Sequence, residues 1–219
     1  MNEKIVKVTG RGGIHAVPDV TRLELTLKSL HDTYEDAYIQ SKSNVGKLNL
    51  IMKEVGLESS LPKTIGFDIE KKNESQYDKY DKYVGSKFIG FEIYHKVKID
   101  LGMDNILLNN VVKLIGKHLK QAEISIGYTV KDSRPFQLLM LERAVKDAKA
   151  KAEIMATACD CKLGSVKEIN YSFSKLQIYS QSRQIHDAEE AICCEPESLD
   201  ITPDDLSVSD DVTVVWELV

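Results

Sequence analysis

Apolar residues along this chain fall into short alternating runs that come mostly in adjacent pairs, with three longer stretches of helical period between them. That order limits the fold more than any other feature. Residues 4–9 alternate and read as a strand, which Gly10-Arg11-Gly12-Gly13 breaks. Pro18-Asp19 marks a turn. Leu23, Leu25 and Leu27 then share one face of a second strand, among Arg22, Glu24 and Lys28, so this strand covers a core on one side only. Asp32-Thr33-Tyr34-Glu35 resembles a capping box with Asp32 as N-cap. Tyr34, Tyr38, Val45, Leu48, Met52 and Val55 follow at helical spacing until Gly56 ends the segment.

Ile65, Phe67 and Ile69 alternate as a third strand. Residues 71–86 are polar and contain the repeat Tyr77-Asp78-Lys79-Tyr80-Asp81-Lys82-Tyr83. Alternation resumes at Phe88 and runs from Phe91 to Leu101, so two long strands joined by a charged connection read as a hairpin. Asp104 can cap a short helix carrying Ile106, Leu107, Val111, Leu114 and Ile115, and Ala122 to Tyr128 form the next strand. Asp132 or Ser133 caps the longest helix, with Pro135 in its first turn, where a missing N–H costs nothing. In that helix Phe136, Met140, Ala144, Ala148, Ala152 and Ala156 make one ridge at every fourth position, and the alanines let it lie close on a sheet. Val166, Ile169, Tyr171 and Phe173 read as a strand whose alternation slips, which implies a bulge. Val212, Val214 and Trp216 close the chain as a final strand.

Paired strands favour an α+β fold, with an antiparallel or mixed sheet and helices packed on one face, over a doubly wound parallel sheet. At roughly 100–200 residues per domain, 219 residues make one large domain or two small ones. No boundary divides the pattern, so a single domain over 1–219 is expected. It carries a long acidic loop at about 175–207, where no Lys or Arg follows Arg183 while Asp187, Glu189, Glu190, Glu195, Glu197, Asp200, Asp204 and Asp205 crowd together. The net charge of −5 argues against nucleic acid as the main partner, because duplex binding needs a basic face. No run approaches the roughly 20 apolar residues of a membrane span. Met1 is followed at once by polar residues, so the expected location is cytoplasmic if Met1 is the native start, and periplasmic if a leader has been removed.

Few groupings carry chemistry. A dinucleotide fingerprint G-x-G-x-x-G beginning at Gly10 would need glycine at position 15, which is His15, and the loop feeds another strand and not a helix. A turn or bulge needing flexible backbone is the expected role. Cys159 and Cys161, and the adjacent Cys193 and Cys194, do not have the spacing of a zinc site, so reduced thiols and no cofactor are expected. His15, His31, His95, His118 and His186 are scattered, and His31 reads as part of a helix entrance. In the Tyr-Asp-Lys repeat Asp78 and Asp81 cancel Lys79 and Lys82, which leaves no positive groove for single-stranded nucleic acid. Tyr77, Tyr80 and Tyr83 are instead candidates for a protein interface, where tyrosine is enriched.

The opening Val8-Thr9-Gly10-Arg11-Gly12 with Pro18-Asp19, the segment Ser75-Gln76-Tyr77, the stretch from Glu142 to Ala152 of the form A-x-x-D-A-x-x-K-A, Leu163-Gly164, and the close from Val212 to Leu218 together resemble the SIMPL-domain family, which includes YggE-like proteins. The resemblance covers nearly the whole chain in order. It implies an α+β fold without established enzymatic activity and without agreed catalytic residues. It also implies kinase-partner roles among animal relatives, and envelope location, oxidative-stress defence and in one case a ring-shaped oligomer among bacterial ones. The opening residues do not read as the signal peptide common among bacterial members, which is an expected departure from the family if Met1 is the native start, and Asp160-Cys161 stands where a glycine often precedes the Leu-Gly.

The expected function is therefore a non-enzymatic interaction or assembly module, with another protein or itself as partner. The alternative is a small-molecule or thiol-dependent enzyme using Cys159 or Cys161, which would require a pocket around a perturbed Cys or His.

Overall fold

The structure, a computed structural model, describes residues 4–171, 178–180, 183–185 and 203–219. In chain order the elements are β1 (Ile5–Ala16), β2 (Val20–His31), α1 (Tyr34–Glu54), β3 (Lys63–Tyr77), β4 (Tyr83–Leu101), α2 (Asn105–His118), β5 (Ala122–Thr129), α3 (Arg134–Ala158), β6 (Leu163–Asn170), β7 (Arg183–Ile185) and β8 (Leu206–Leu218). The fold is α+β, with two antiparallel sheets in place of the one expected. The chain divides into two compact units, one of Met1–Asp19, Thr129–Ser180 and Pro203–Val219, the other of Val20–Tyr128 and Gln181–Thr202.

The first unit is a three-stranded sheet in the order β1-β8-β6 with α3 on it. Its cores join Val8, Val212, Val214 and Trp216 to Ala144, Ala148 and Ala152, and Ile14 and Leu206 to Met140. The alanine ridge faces the sheet as the spacing predicts, with Ala144, Ala148 and Ala152 fully buried. The glycine cluster corrects the sequence reading. It is neither a turn nor a bulge but the middle of β1, which pairs without interruption with β8 from Ile5↔Glu217 to Ala16↔Leu206. A Cβ on Gly10 would lie 2.1 Å from the Ala144 carbonyl oxygen, and one on Gly12 1.9 Å from that of Met140. These glycines serve close helix–sheet approach, not backbone freedom.

At the start of α3, Ser133 is the N-cap by position but makes no side-chain cap bond, while Asp132 accepts from the Arg134 amide at 3.0 Å. The slip expected near Val166 is present as two register shifts in the β6–β8 pairing.

The second unit is a five-stranded sheet in the order β3-β4-β2-β5-β7. Leu23, Leu25 and Leu27 of β2, Val97, Ile99 and Leu101 of β4, and Ile124 and Ile126 of β5 form one core with Leu48, Ile51 and Met52 of α1 and Leu108, Val111 and Ile115 of α2. Both helices thus cover the same face. Asp104 caps α2, accepting from the amides of Ile106 and Leu107.

The cap of α1 lies one residue later than expected. Thr33, not Asp32, is the N-cap, accepting from the Asp36 amide and donating to the Asp36 carboxylate at 2.6 Å. Leu48 and Met52 are buried as the spacing predicts, but the first turns differ. Ala37, Ser41, Asn44 and Leu48 point inward, and Tyr34 and Tyr38 stay about half exposed.

Of the acidic loop expected at about 175–207, Arg183–Ile185 is a short strand on β5, and β8 already begins at Leu206. Residues 178–180 and 203–205 are also described; the rest of it, with His186, Cys193 and Cys194, lies outside the described residues, as does Phe173 before it. Among the described residues no helix is long and apolar enough to cross a membrane.

Candidate functional site

The hairpin β3–β4 differs in one respect from its sequence reading. The polar stretch 71–86 is mostly strand: pairing continues to Tyr77↔Tyr83, and only residues 78–82 form the turn. Periodicity could not reveal this, because almost every residue of β3 is exposed and a strand wet on both faces needs no alternation. Asp78 builds the turn, its Oδ1 accepting from the amides of Tyr80 at 2.8 Å and Lys82 at 3.1 Å. Asp81 supplies the left-handed residue at φ 57°.

This turn places the three candidate tyrosines together at the hairpin end. Tyr77 and Tyr83 face each other across the strands with rings edge-to-face at 6.1 Å, and Tyr80 sits on the turn, 78% exposed. Lys79 lies 5.0 Å from the centre of the Tyr80 ring. Tyr77 and Tyr83 are more than half exposed, as is Val84 beside them.

A second aromatic group lies nearer the helices. Tyr38 stacks on Tyr34 at 6.4 Å, Tyr34 meets Phe91 edge-on at 6.1 Å, and Phe91 meets Phe88 at 5.4 Å. Tyr34, Tyr38 and Phe88 are each close to half exposed, and Ile65, Phe67 and Ile69 of β3 are also exposed. The sequence reading missed this row because it assigned Tyr34 and Tyr38 to the buried face of α1. Leu48 and Met52 are buried as the period predicts, so the signal is local: the small Ala37 and Ser41 take the core positions of the first turns. The outer edge of β3 is paired with no strand among the described residues.

On the other face of this sheet the side chains are charged and mutually satisfied. Glu92 accepts from Tyr94 at 2.7 Å and pairs with Lys72 at 2.8 Å, and Arg22 grips Asp100 through two bonds of 2.6 and 2.8 Å. Burial works against the charged form of Glu92, but the bonds from Lys72 and Tyr94 outweigh it and hold the carboxyl below its ordinary range. The hydrogen bond from Arg22 lowers Asp100 likewise. His95 lies on the core side, edge-on to Phe67 at 5.1 Å, with Nε2 2.7 Å from the Thr64 hydroxyl and Nδ1 buried without a partner, and burial pushes its pKa down.

Of the other sequence candidates, His31 and His118 line one cleft beside β2 and α2, and the rest do not converge. Cys159 caps the C-terminus of α3 and Cys161 follows it, both as free thiols, the first exposed and the second half-buried. Neither Cys159 nor Cys161 lines the cleft beside β2 and α2 or the smaller one between α1 and α2. His15 bonds Ser207 in the first unit at 2.9 Å. His31 is the last residue of β2 and precedes the cap of α1. Among the described residues no group of three or more His, Cys, Asp or Glu is placed to hold a metal ion.

No curated protein matches the chain significantly. A family model described as "SIMPL: Protein of unknown function (DUF541)" matches residues 6–216, in agreement with the fold above and with the resemblance in the motifs. The chain belongs to the SIMPL family.

Proposed function

We propose that this protein is a non-enzymatic assembly module that joins copies of itself through the β3–β4 hairpin. The observation that supports this reading is the exposed aromatic surface at the hairpin, with Tyr77, Tyr80 and Tyr83 at its end and Tyr34, Tyr38 and Phe88 at its base. Exposed apolar surface of this extent marks interaction sites, and tyrosine gives contact area at low entropy cost.

The outer edge of β3 offers a row of backbone groups that another strand can pair with. Its charges suit a second copy. In an antiparallel pairing about a two-fold axis at Asn73, Lys72 of one copy faces Glu74 of the other, twice, and Ile69 faces Tyr77. No like charges meet between positions 69 and 77 in that register. The resemblance to a family with a ring-forming member and members in oxidative-stress defence supports the same reading and suggests the process in which the assembly would act.

Light scattering behind size exclusion tests this. The wild type should elute with a mass above the 24.6 kDa of one chain, and the variant with Tyr77, Tyr80 and Tyr83 changed to Ser should fall toward it. A monomeric wild type at tens of micromolar, roughly the range in which a modest interface would show, contradicts the proposal.

A further inference from the structure

A cleft of about 550 Å³ opens in the second unit between the end of β2, the middle of α1 and the turn from α2 into β5. Its lining contradicts the charge of the chain. The protein carries 34 acids against 29 Lys and Arg, yet among the described residues the lining includes Lys47, Lys117 and Lys120 with His31 and His118, and no Asp or Glu; Lys28 also lines it, but its ammonium lies over the Tyr94 ring on the opposite face of the sheet. Glu123 stands beside it, but its carboxylate is bound to Lys28. Among the described residues Lys47 and Lys117 form no ion pair, so their charges are not neutralised within the fold.

Beneath these cations lies a built polar floor. Ser29 is 1% exposed and Asn44 9%. The Asn44 amide donates to the Ser29 hydroxyl at 3.2 Å, and Gln40 donates to the Asn44 carbonyl at 3.0 Å. Ser29 thus accepts from Asn44, and its own proton has no acceptor among the described residues. A buried hydroxyl proton beneath a ring of lysines is a donor waiting for an acceptor. Asn44, buried on the core-facing side of α1 where an apolar residue would otherwise pack, makes this floor polar.

We propose that this cleft binds a small phosphate-bearing anion of the sugar-phosphate class. Lysines on separate elements surround multiple negative charges, and Ser29, Gln40, Asn44 and Gln121 meet hydroxyl groups. Among the described residues no Phe, Tyr or Trp lines the cleft to give a stacking platform for a nucleobase.

Titration calorimetry on the full chain at low and at physiological ionic strength tests this with a hexose bisphosphate, tripolyphosphate, citrate and a single-stranded RNA. The expected result is one bisphosphate site per chain, with binding weakened by salt. Lys47→Glu combined with Lys117→Glu should weaken it at least about tenfold. Lys53→Glu, on the last turn of α1 outside the cleft, should leave it unchanged. All three lysines are exposed, and a thermal melt of each variant matching the wild type shows that the fold is kept. Absence of heat with the bisphosphate at low salt overturns the proposal, as does equal weakening by Lys53→Glu. Citrate binding as tightly as the bisphosphate overturns the phosphate assignment. RNA binding more tightly than the bisphosphate, with the same dependence on Lys47 and Lys117, transfers the cleft to nucleic acid.

Discussion

The backbone amide of Arg11 donates to the carboxylate of Asp147 at 2.8 Å, so a helix side chain takes the bond that a neighbouring strand would otherwise make on the free edge of β1. The arrangement repeats along α3 at every fourth residue. Arg143 donates to the Gly13 carbonyl at 2.6 Å, and Lys151 lies 3.4 Å from that of Thr9 while pairing with Asp147 at 2.6 Å. Covering an edge in this way prevents unwanted strand addition. In this chain it is the physical work of the Asp and Lys of the helix signature.

The first prediction follows from that bond. Asp147→Ala removes the acceptor and should speed hydrogen exchange at the Arg11 amide, whereas Asp147→Asn keeps an acceptor oxygen and should hold exchange near the wild-type rate. Equal rates in the two variants would mean that Asp147 does not guard this edge.

The second concerns the close approach of α3 to β1. Gly12→Ala drives a Cβ into the Met140 carbonyl and Ala148→Leu overfills the same interface, so each should destabilise by about 1–3 kcal/mol in urea melts. Gly13→Ala is the control. Its Cβ would meet nothing nearer than 3.9 Å, and it should be neutral or slightly stabilising. Similar losses for Gly12→Ala and Gly13→Ala would indicate that strand propensity matters here and helix contact does not.

The alanine ridge was legible in the sequence because a period of four in small residues has one physical use, a helix lying close on a flat surface. The glycines opposite it were not. Gly10, Gly12 and Gly13 read as a break, since a sequence does not say whether a missing side chain frees the backbone or makes room for a neighbour. The tyrosines at 77, 80 and 83 were legible as a hairpin end because Asp-Lys pairs leave only the aromatic rings distinctive. Tyr34 and Tyr38 were misplaced although Leu48 and Met52 of the same series are buried, because Ala37 and Ser41 take the core positions of the first turns of α1. The cleft was invisible because Lys47 and Lys117 come from two helices far apart in sequence and share no local spacing.

The third prediction concerns pH. His95 has its pKa lowered by burial, so the unfolded chain binds a proton at this site more readily than the folded one. Its stabilising effect is whole above the ordinary histidine value of about 6.5, and is lost as pH falls from there toward the folded value. His95→Phe should therefore flatten the decline of stability between about pH 7 and pH 5 in denaturant melts. Parallel curves for wild type and variant would place the decline elsewhere.

The central claim is that copies meet along β3, and hydrogen exchange at two protein concentrations tests it most directly. The account predicts that amides of Lys63–Tyr77 on the side away from β4 exchange more slowly in concentrated than in dilute protein, and that changing Tyr77, Tyr80 and Tyr83 to Ser abolishes the difference. Exchange along β3 that is independent of concentration, or slowing confined to other strands such as β6, would contradict it.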